Sequence, residues 1–388
     1  MDTITSLDKE YVAGTYGRFP LELVSGKGVI VKDSSGKEYI DLTSGIGVTA
    51  FGIADEAWLA AVTAQLMKLQ HTSNLYYTEP CARVAKLLCE KTGMKKVFFA
   101  NSGAEANECV IKVARKYSAQ VKGPEYYTVL TLEKSFHGRT LTTLAATGQD
   151  SFHKDFQPLT PGFAHLPPND CQALETAVRE QKLAAVMLEC VQGEGGVNPL
   201  SREFILFADK LCKEHDIPLI IDEVQTGNGR TGKLYSYMHF GIAPDLVSTA
   251  KGLGGGLPIG AALMGEKMQY VLGPGDHGST YGGNPVACAG ALSVLERMDD
   301  SFLAEVSHKG DYVFKALSGA AGIESVTGLG LMIGIKTVKP AKDVVNECIK
   351  RGVLCLTAKD KVRLLPALNI PPETLEKALE IIKAVCAE

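Results

Sequence analysis

Lys251 stands between a short β-like run, residues 245–249, and a glycine-rich turn, Gly252-Leu253-Gly254-Gly255-Gly256. A lysine at a strand end, with glycines that let a ligand approach the backbone, suits imine formation with a carbonyl group. Read alone, the same stretch is a surface lysine at a flexible turn. Upstream, Ile220-Ile221 runs into Asp222-Glu223. A buried parallel strand has this form when it delivers a carboxylate to a site. A lysine for an imine and an aspartate for a pyridinium nitrogen are the two groups that pyridoxal phosphate requires. The aspartate keeps that nitrogen protonated through a charge-assisted bond, and the charged ring withdraws electrons from the substrate. Lys251 and Asp222 are therefore the expected catalytic pair.

Other residues with the right chemistry lie around these two. Ser102-Gly103-Ala104 opens a helix, where free N–H groups and the helix dipole make an anion site. The plainer reading of Ser102 is an N-cap, contributing about 1 kcal/mol. Thr280, in His277-Gly278-Ser279-Thr280, is a second phosphate candidate. In Phe136-His137-Gly138-Arg139, Phe136 has the flat face to stack on a ring, and Arg139 has the fork to grip a carboxylate. His137 fits either a structural role or packing against the cofactor. Gln225 has an amide for the ring hydroxyl. Glu194, flanked by Gly193 and Gly195, is either a presented carboxylate or a solvated loop acid. Arg363, one charge in an apolar strand, is either paired or waits for an anion.

The elements that must position these groups alternate between helix and strand. A helix is predicted over residues 81–92, a strand over 97–100 and a helix over 104–119. Further strands are expected at 127–132, 185–189, 219–222, 246–249 and 261–264, with helices over 172–180 and 202–215. Unbroken apolar strands in such alternation argue for an α/β, mostly parallel sheet covered by helices, with ligands at the strands' carboxyl ends. Earlier, residues 29–33 and 38–42 flank Ser34-Ser35-Gly36-Lys37, a hairpin signal. Helices are also read over 56–68 and 285–298. Near the C-terminus come strand 331–335, helix 341–351, strand 362–365 and helix 373–387. The expected division is an N-terminal segment (1–50) packing with the small domain, a large cofactor-binding domain (51–284) and a small α+β domain (285–388).

The composition excludes several function classes. The 388 residues carry a net charge of −4, which gives no reason to expect nucleic acid or an anionic membrane as partner. Ten cysteines lack a CxxC pair, so reduced thiols and no zinc or other metal site are expected. Met1-Asp2-Thr3-Ile4-Thr5 has no apolar signal core, and the apolar runs are too short for a membrane span. A cytoplasmic setting is the expectation.

Taken together, S-G-A-E-A-N, S-F-H-G-R-T, Q-G-E-G-G, D-E-V-Q-T-G-N-G-R-T-G and H-G-S-T-Y-G-G-N-P, in this order and with Lys251, resemble the class III pyridoxal-phosphate aminotransferases, which act on ω-amines. The resemblance covers residues 16–366, and the motifs stand nearest the subgroup acting on N2-acetylornithine. It implies the fold-type I architecture, pyridoxal 5'-phosphate, and a homodimer with shared active sites. It implies that Lys251 carries the cofactor and shuttles the proton while Asp222 pairs with the ring nitrogen. Phe136, Glu223, Val224 and Gln225 then surround the ring. Ser102, Gly103 and Ala104 hold the phosphate, with Thr280 reaching in from a second subunit. Arg139 takes the carboxylate far from the reacting amine, and Arg363 takes the α-carboxylate of glutamate. Glu194 pairs with Arg363, and Ser279 touches substrate. The implied reaction moves the δ-amino group of N2-acetylornithine to 2-oxoglutarate. Ornithine, succinylornithine or 4-aminobutyrate are alternative donors. An aminomutase is a further alternative, as is a non-catalytic cofactor-binding protein. One departure stands out. Where the family carries an L-G-H-x-H-P-like turn, this chain reads Phe51-Gly52-Ile53-Ala54-Asp55-Glu56, so a differently built turn is expected there.

Overall fold

The computed structural model describes residues 3–388, so the first two residues of the acidic start, Met1-Asp2, lie outside it. Seven strands form the largest sheet: β1 (Lys96–Ala100), β2 (Thr128–Leu132), β3 (Phe163–Leu166), β4 (Leu183–Leu188), β5 (Leu219–Asp222), β6 (Leu246–Thr249) and β7 (Gly260–Met264). Their order is β1-β7-β6-β5-β4-β2-β3. β3, β2, β4, β5 and β6 pair in parallel, whereas β7 runs antiparallel to both β6 and β1. Every residue of β4, β5, β6 and β7 is buried, as the continuous apolar runs require of strands covered on both faces. The reversal of β7 has a simple cause. Its link from Thr249 to Gly260 is too short for the helical crossover that a parallel neighbour needs. This is the fold-type I α/β architecture expected from the sequence.

Two four-stranded sheets accompany the large one, with a two-stranded ribbon at Val191–Gln192 and Asn198–Pro199. Ile323–Leu329, Met332–Thr337, Lys361–Leu364 and Leu356–Ala358, in that spatial order, make an antiparallel sheet, a meander with its last two strands exchanged. The N-terminal ribbon contains Leu23–Lys27, Ile30–Asp33 and Glu38–Asp41. Its expected turn is tied by Asp33, whose Oδ1 accepts from the backbone N–H of Ser35 (2.9 Å) and Lys37 (3.0 Å). The ribbon gains a fourth strand from far along the chain, Val353–Leu354, which pairs in parallel with Ile40 and Asp41.

The turn at residues 51–56 is built from charge instead of histidine and proline. Asp55 caps helix Glu56–Leu66 by accepting from Trp58 N at 2.9 Å. The same carboxylate binds Arg297 at 2.8 Å, and the Arg297 guanidinium lies 3.7 Å from the centroid of the Phe51 ring. Cap, ion pair and cation–π contact thus share one acid. Asp55→Ala should cost about 1–2 kcal/mol in urea denaturation, the upper part of the usual N-cap range. Asp55→Asn keeps the cap and should cost less.

Candidate active site

The carboxyl ends of β4, β5 and β6 and the loop after β1 converge on a cavity of about 500 Å³. Helix Gly103–Val121 points its N-terminus at it. Ser102 is the N-cap, its Oγ accepting from Glu105 N at 3.2 Å, so the plainer reading of that serine is realised. The N–H groups of Gly103 and Ala104 fall in the first turn, where a helix offers no internal acceptor. A Cβ on Gly103 would stand 2.6 Å from Val224 Cγ1, so only glycine lets these two walls meet.

Asp222 is the last residue of β5, and donors hold both of its oxygens. Oδ2 accepts from Asn107 Nδ2 at 2.8 Å and lies 2.8 Å from His137 Nδ1; Oδ1 accepts from Val224 N at 2.9 Å. The acid partner places the His137 proton on Nδ1 and leaves Nε2 buried without a partner. Burial alone would lower the His137 pKa. The hydrogen bond and charge of Asp222, with the charge of Glu189, outweigh it and raise the value. Glu189, just past β4, accepts from Phe136 N at 2.7 Å and Gly193 N at 3.2 Å. Burial pushes its carboxyl up to about 7, with the Asp222 charge adding to the rise and His137 opposing it.

Lys251 opens onto the same cavity with a left-handed backbone, φ 45°. That conformation is strained for a lysine and persists only where its surroundings enforce it. Asn228 supplies part of that enforcement, donating to Thr249 Oγ1 at 2.9 Å and to Ala250 O at 3.0 Å. Burial lowers the Lys251 pKa; Glu194 opposes that shift and Arg363 adds to it.

The structure brings most of the expected positions together. Ser102, Gly103 and Ala104 line the cavity, as do Phe136, Arg139, Asp222, Val224, Gln225 and Lys251. Glu194 and Arg363 stand behind Gln225. Arg363 Nη1 donates to Glu194 Oε1 at 2.6 Å and Gln225 Oε1 at 3.1 Å, and the Gln225 amide donates to Glu194 at 3.1 Å. The Arg363 side chain is 3% exposed and that of Glu194 28%, so the pair is largely desolvated. Burial works against the Glu194 charge, yet Arg363 holds its pKa below the ordinary value. Ser279 lies to one side, its Oγ accepting from Asn101 Nδ2 at 3.1 Å and Gly282 N at 2.9 Å. Thr280 is exposed and does not line its own chain's cavity.

Glu223 is a correction. Its carboxylate accepts from Thr226 Oγ1 (2.6 Å), Ser236 Oγ (2.6 Å) and Tyr237 N (2.9 Å), away from the cavity. Neighbouring residues at a strand end point to opposite faces, so Asp222 and Glu223 cannot both face one ligand. Three residues escaped the sequence reading. Val48 lines the cavity, and Asn107 orients Asp222. Arg230, wholly buried, donates to Pro366 O at 2.6 Å and Leu331 O at 3.2 Å, tying the loop after β5 to the meander that carries Arg363. The signal for Asn107 was a polar residue on the buried face of an amphipathic helix, and for Arg230 a lone charge in a glycine-rich loop.

These features fit pyridoxal phosphate: N–H groups and a hydroxyl for a phosphate, a fixed carboxylate for a ring nitrogen, an aromatic face, and a desolvated lysine. Residues 11–386 match the model of the class-III aminotransferases. The chain is 52% identical to the acetylornithine aminotransferase of Haemophilus ducreyi, over all of this chain and 99% of that one. A crystal structure of N-acetylornithine aminotransferase from Stenotrophomonas maltophilia superposes with a TM-score of 0.86 at 34% identity, covering 99% of this chain and 98% of that one. The ornithine aminotransferase of Toxoplasma gondii, in a structure with partial occupancy of PLP at its active site, gives 0.93 at 31% identity over 99% and 93%. The chain belongs to the class-III aminotransferase family, and it is a pyridoxal-phosphate-dependent enzyme.

The raised Glu189 pKa sets a pH dependence. The folded protein holds this proton to about 7, whereas the unfolded chain releases it near the ordinary carboxylate value of 4.5. Between those values the folded state binds more protons, so Glu189 makes stability fall as pH rises through the window. His137, also raised, contributes a loss in the same direction as pH climbs through its folded pKa. Glu189→Gln should flatten the fall in urea midpoint between about pH 5 and pH 7. An unchanged slope would remove Glu189 as its source.

Proposed function

We propose that this enzyme transfers the δ-amino group of N2-acetylornithine to 2-oxoglutarate in arginine biosynthesis, giving N-acetylglutamate semialdehyde and glutamate. The relatives acting on acetylornithine support the donor. The observation that carries the reading is the unequal state of the two arginines. Arg363 is closed by Glu194, while Arg139 has no carboxylate within ion-pair distance among the described residues. A δ-amine donor carries its carboxylate several bonds from the reacting nitrogen and needs a far anchor, which Arg139 offers. Glutamate reacts at its α-amine and needs a near anchor, Arg363, freed when Glu194 swings away. A free Arg363 would invite donors to dock the wrong way round, so the pair works as a gate. Pyridoxal phosphate, when bound, would supply the electron sink and the carrier for the amine. Lys251, its pKa lowered, takes and returns the proton at the substrate carbon. Asp222 would hold the proton of the ring nitrogen, and Phe136 would offer its face to the ring. The T. gondii resemblance keeps free ornithine as the second donor to test.

We also read the enzyme as a cytoplasmic homodimer with residues 1–50, 51–284 and 285–388 as its structural divisions. Among the described residues no helix is long and apolar enough to cross a membrane. The loop bearing Thr280 sits on an apolar surface that a lone chain leaves wet: Leu75 is 88% exposed and Tyr77 106%. Asn74, in the same stretch, donates to Ser279 O at 3.0 Å and Gly282 O at 2.9 Å. A second copy on this surface buries the patch and receives Thr280 at its phosphate site.

A panel of ω-amine donors with 2-oxoglutarate tests the substrate. The expected order in kcat/KM is acetylornithine over ornithine and 4-aminobutyrate, and a reversed order would reject the donor assignment. Glu194→Ala should speed the glutamate half-reaction and admit α-amines of ornithine-like donors. Equal slowing of both halves would reject the gate. For shared sites, co-expressed Lys251→Ala and Thr280→Asp chains should recover activity that neither variant shows alone, because one hybrid site is intact.

A further inference from the structure

Arg139 is not held by an acid. Its guanidinium lies 4.5 Å from the centroid of Phe152 and 5.8 Å from that of Phe136, and the two rings meet edge to face at 5.8 Å. Phe152 belongs to a short helical turn, Asp150–His153. The next residue, His153, is buried and anchors that turn, with Nε2 2.9 Å from Leu144 O and 2.7 Å from Thr147 O. The position of Arg139 over the cavity is therefore set by two aromatic faces, one of them outside the cavity wall.

A second cation uses the same ring. Lys359 Nζ lies 5.7 Å from the Phe152 centroid. Lys359 sits in the two-residue turn between Leu356–Ala358 and Lys361–Leu364, the hairpin that also carries Arg363. Its φ is 55°, a left-handed conformation that glycine or asparagine adopts more cheaply than lysine. Among the described residues neither Lys359 nor Arg139 has a carboxylate within ion-pair distance, whereas the neighbouring Asp360 is taken by Lys336 at 2.5 Å. Two positive groups thus lie against one ring, and neither is neutralised by an acid among the described residues.

We infer that Phe152 is the positioning residue of Arg139, and that Lys359, brought to the same ring by the Arg363 hairpin, is the second cation for the substrate carboxylate far from the reacting amine. This rests on the reading of Arg139 as the far anchor. The far carboxylate is then met by a planar fork and a point charge together, one from the loop after β2 and one from the meander. Both substrates present such a group, the α-carboxylate of acetylornithine and the γ-carboxylate of 2-oxoglutarate. Lys359 is thereby a specificity residue for amines that carry a distant negative charge.

The test compares N2-acetylornithine with N-acetylputrescine, the same donor without its carboxylate, in single-turnover reactions of the holoenzyme. Lys359→Met should raise the apparent dissociation constant for acetylornithine, and the KM for 2-oxoglutarate, by about fivefold, on the scale of one exposed ion pair. The limiting rate and the N-acetylputrescine reaction should be unchanged, and Lys359→Arg should restore binding. Lys359→Gly should weaken binding equally without lowering Tm, because it relaxes the left-handed turn while removing the charge. Phe152→Leu should cost about tenfold in kcat/KM for acetylornithine alone, and Phe152→Tyr should restore it. Equal losses for both donors, or no loss for acetylornithine in the Lys359 variants, would overturn the inference. Arg139→Ala is the control. If it too leaves the two donors indistinguishable, the anchor reading falls with the inference. If it selectively harms acetylornithine while the Lys359 and Phe152 variants do not, only the inference falls.

Discussion

A carboxylate taken out of water at the end of a buried strand must find donors or lose its charge. Asp222 is in that position, and the site is arranged around satisfying it. Helix Gly103–Val121 must lie close enough to bring Asn107 to 2.8 Å, which fixes where its N-terminus points. The loop after β2 must bring His137 to 2.8 Å, which fixes Phe136 and Arg139 beside it. The backbone N–H of Phe136 then falls to Glu189 at 2.7 Å, so β4 is drawn into the same network. Removing one donor from such a network leaves a buried charge uncompensated, a cost of about 3–5 kcal/mol for a buried pair.

The second constraint is the distribution of positive charge. Lys251 needs a depressed pKa to act as a base near neutrality, and a desolvated cavity with Arg363 nearby provides it. The same arginine must not be left bare, and Glu194 with Gln225 covers it. Arg139 is treated oppositely: aromatic faces hold it without neutralising it. The cavity thus has an unshielded cation on its wall and a shielded one behind Gln225. The two cations are in unequal electrostatic states.

Much of this was legible in the sequence, because the groups come in local strand–loop–helix units. A buried apolar run followed by an acid, or by a serine and a glycine, carries its own placement. Strands β2 and β4 to β7 were readable for the same reason. The direction of β7 was not, since its five buried residues look alike in either sense. β3 was missed as a short edge strand with all four residues only half-buried. Helix Asp300–Leu317 hides its period behind Gly310, which occupies a core position. A Cβ there would lie 2.5 Å from Gly330 O, so a residue that reads as a helix breaker is a packing requirement. Glu223, expected beside the ring, turns instead to Thr226, Ser236 and Tyr237, a choice of face that the run of two acids does not show. Arg230 makes its contacts across the chain, to Leu331 and Pro366, and a lone charge in a glycine-rich loop does not show those partners.

The parallel pairing of Val353–Leu354 with Glu38–Asp41 has a consequence for how the chain is made. The edge of the N-terminal ribbon emerges from the ribosome early, and its partner is synthesised last but for about the final tenth of the chain. Until then the Glu38–Asp41 edge presents open backbone groups, the kind of template that recruits other strands. The sheet that joins the two ends can close only once residues 353–354, which follow every strand of the central sheet in the chain, are made. The last partner of the early ribbon is thus a long-range one, a pairing that costs loop-closure entropy before it is rewarded.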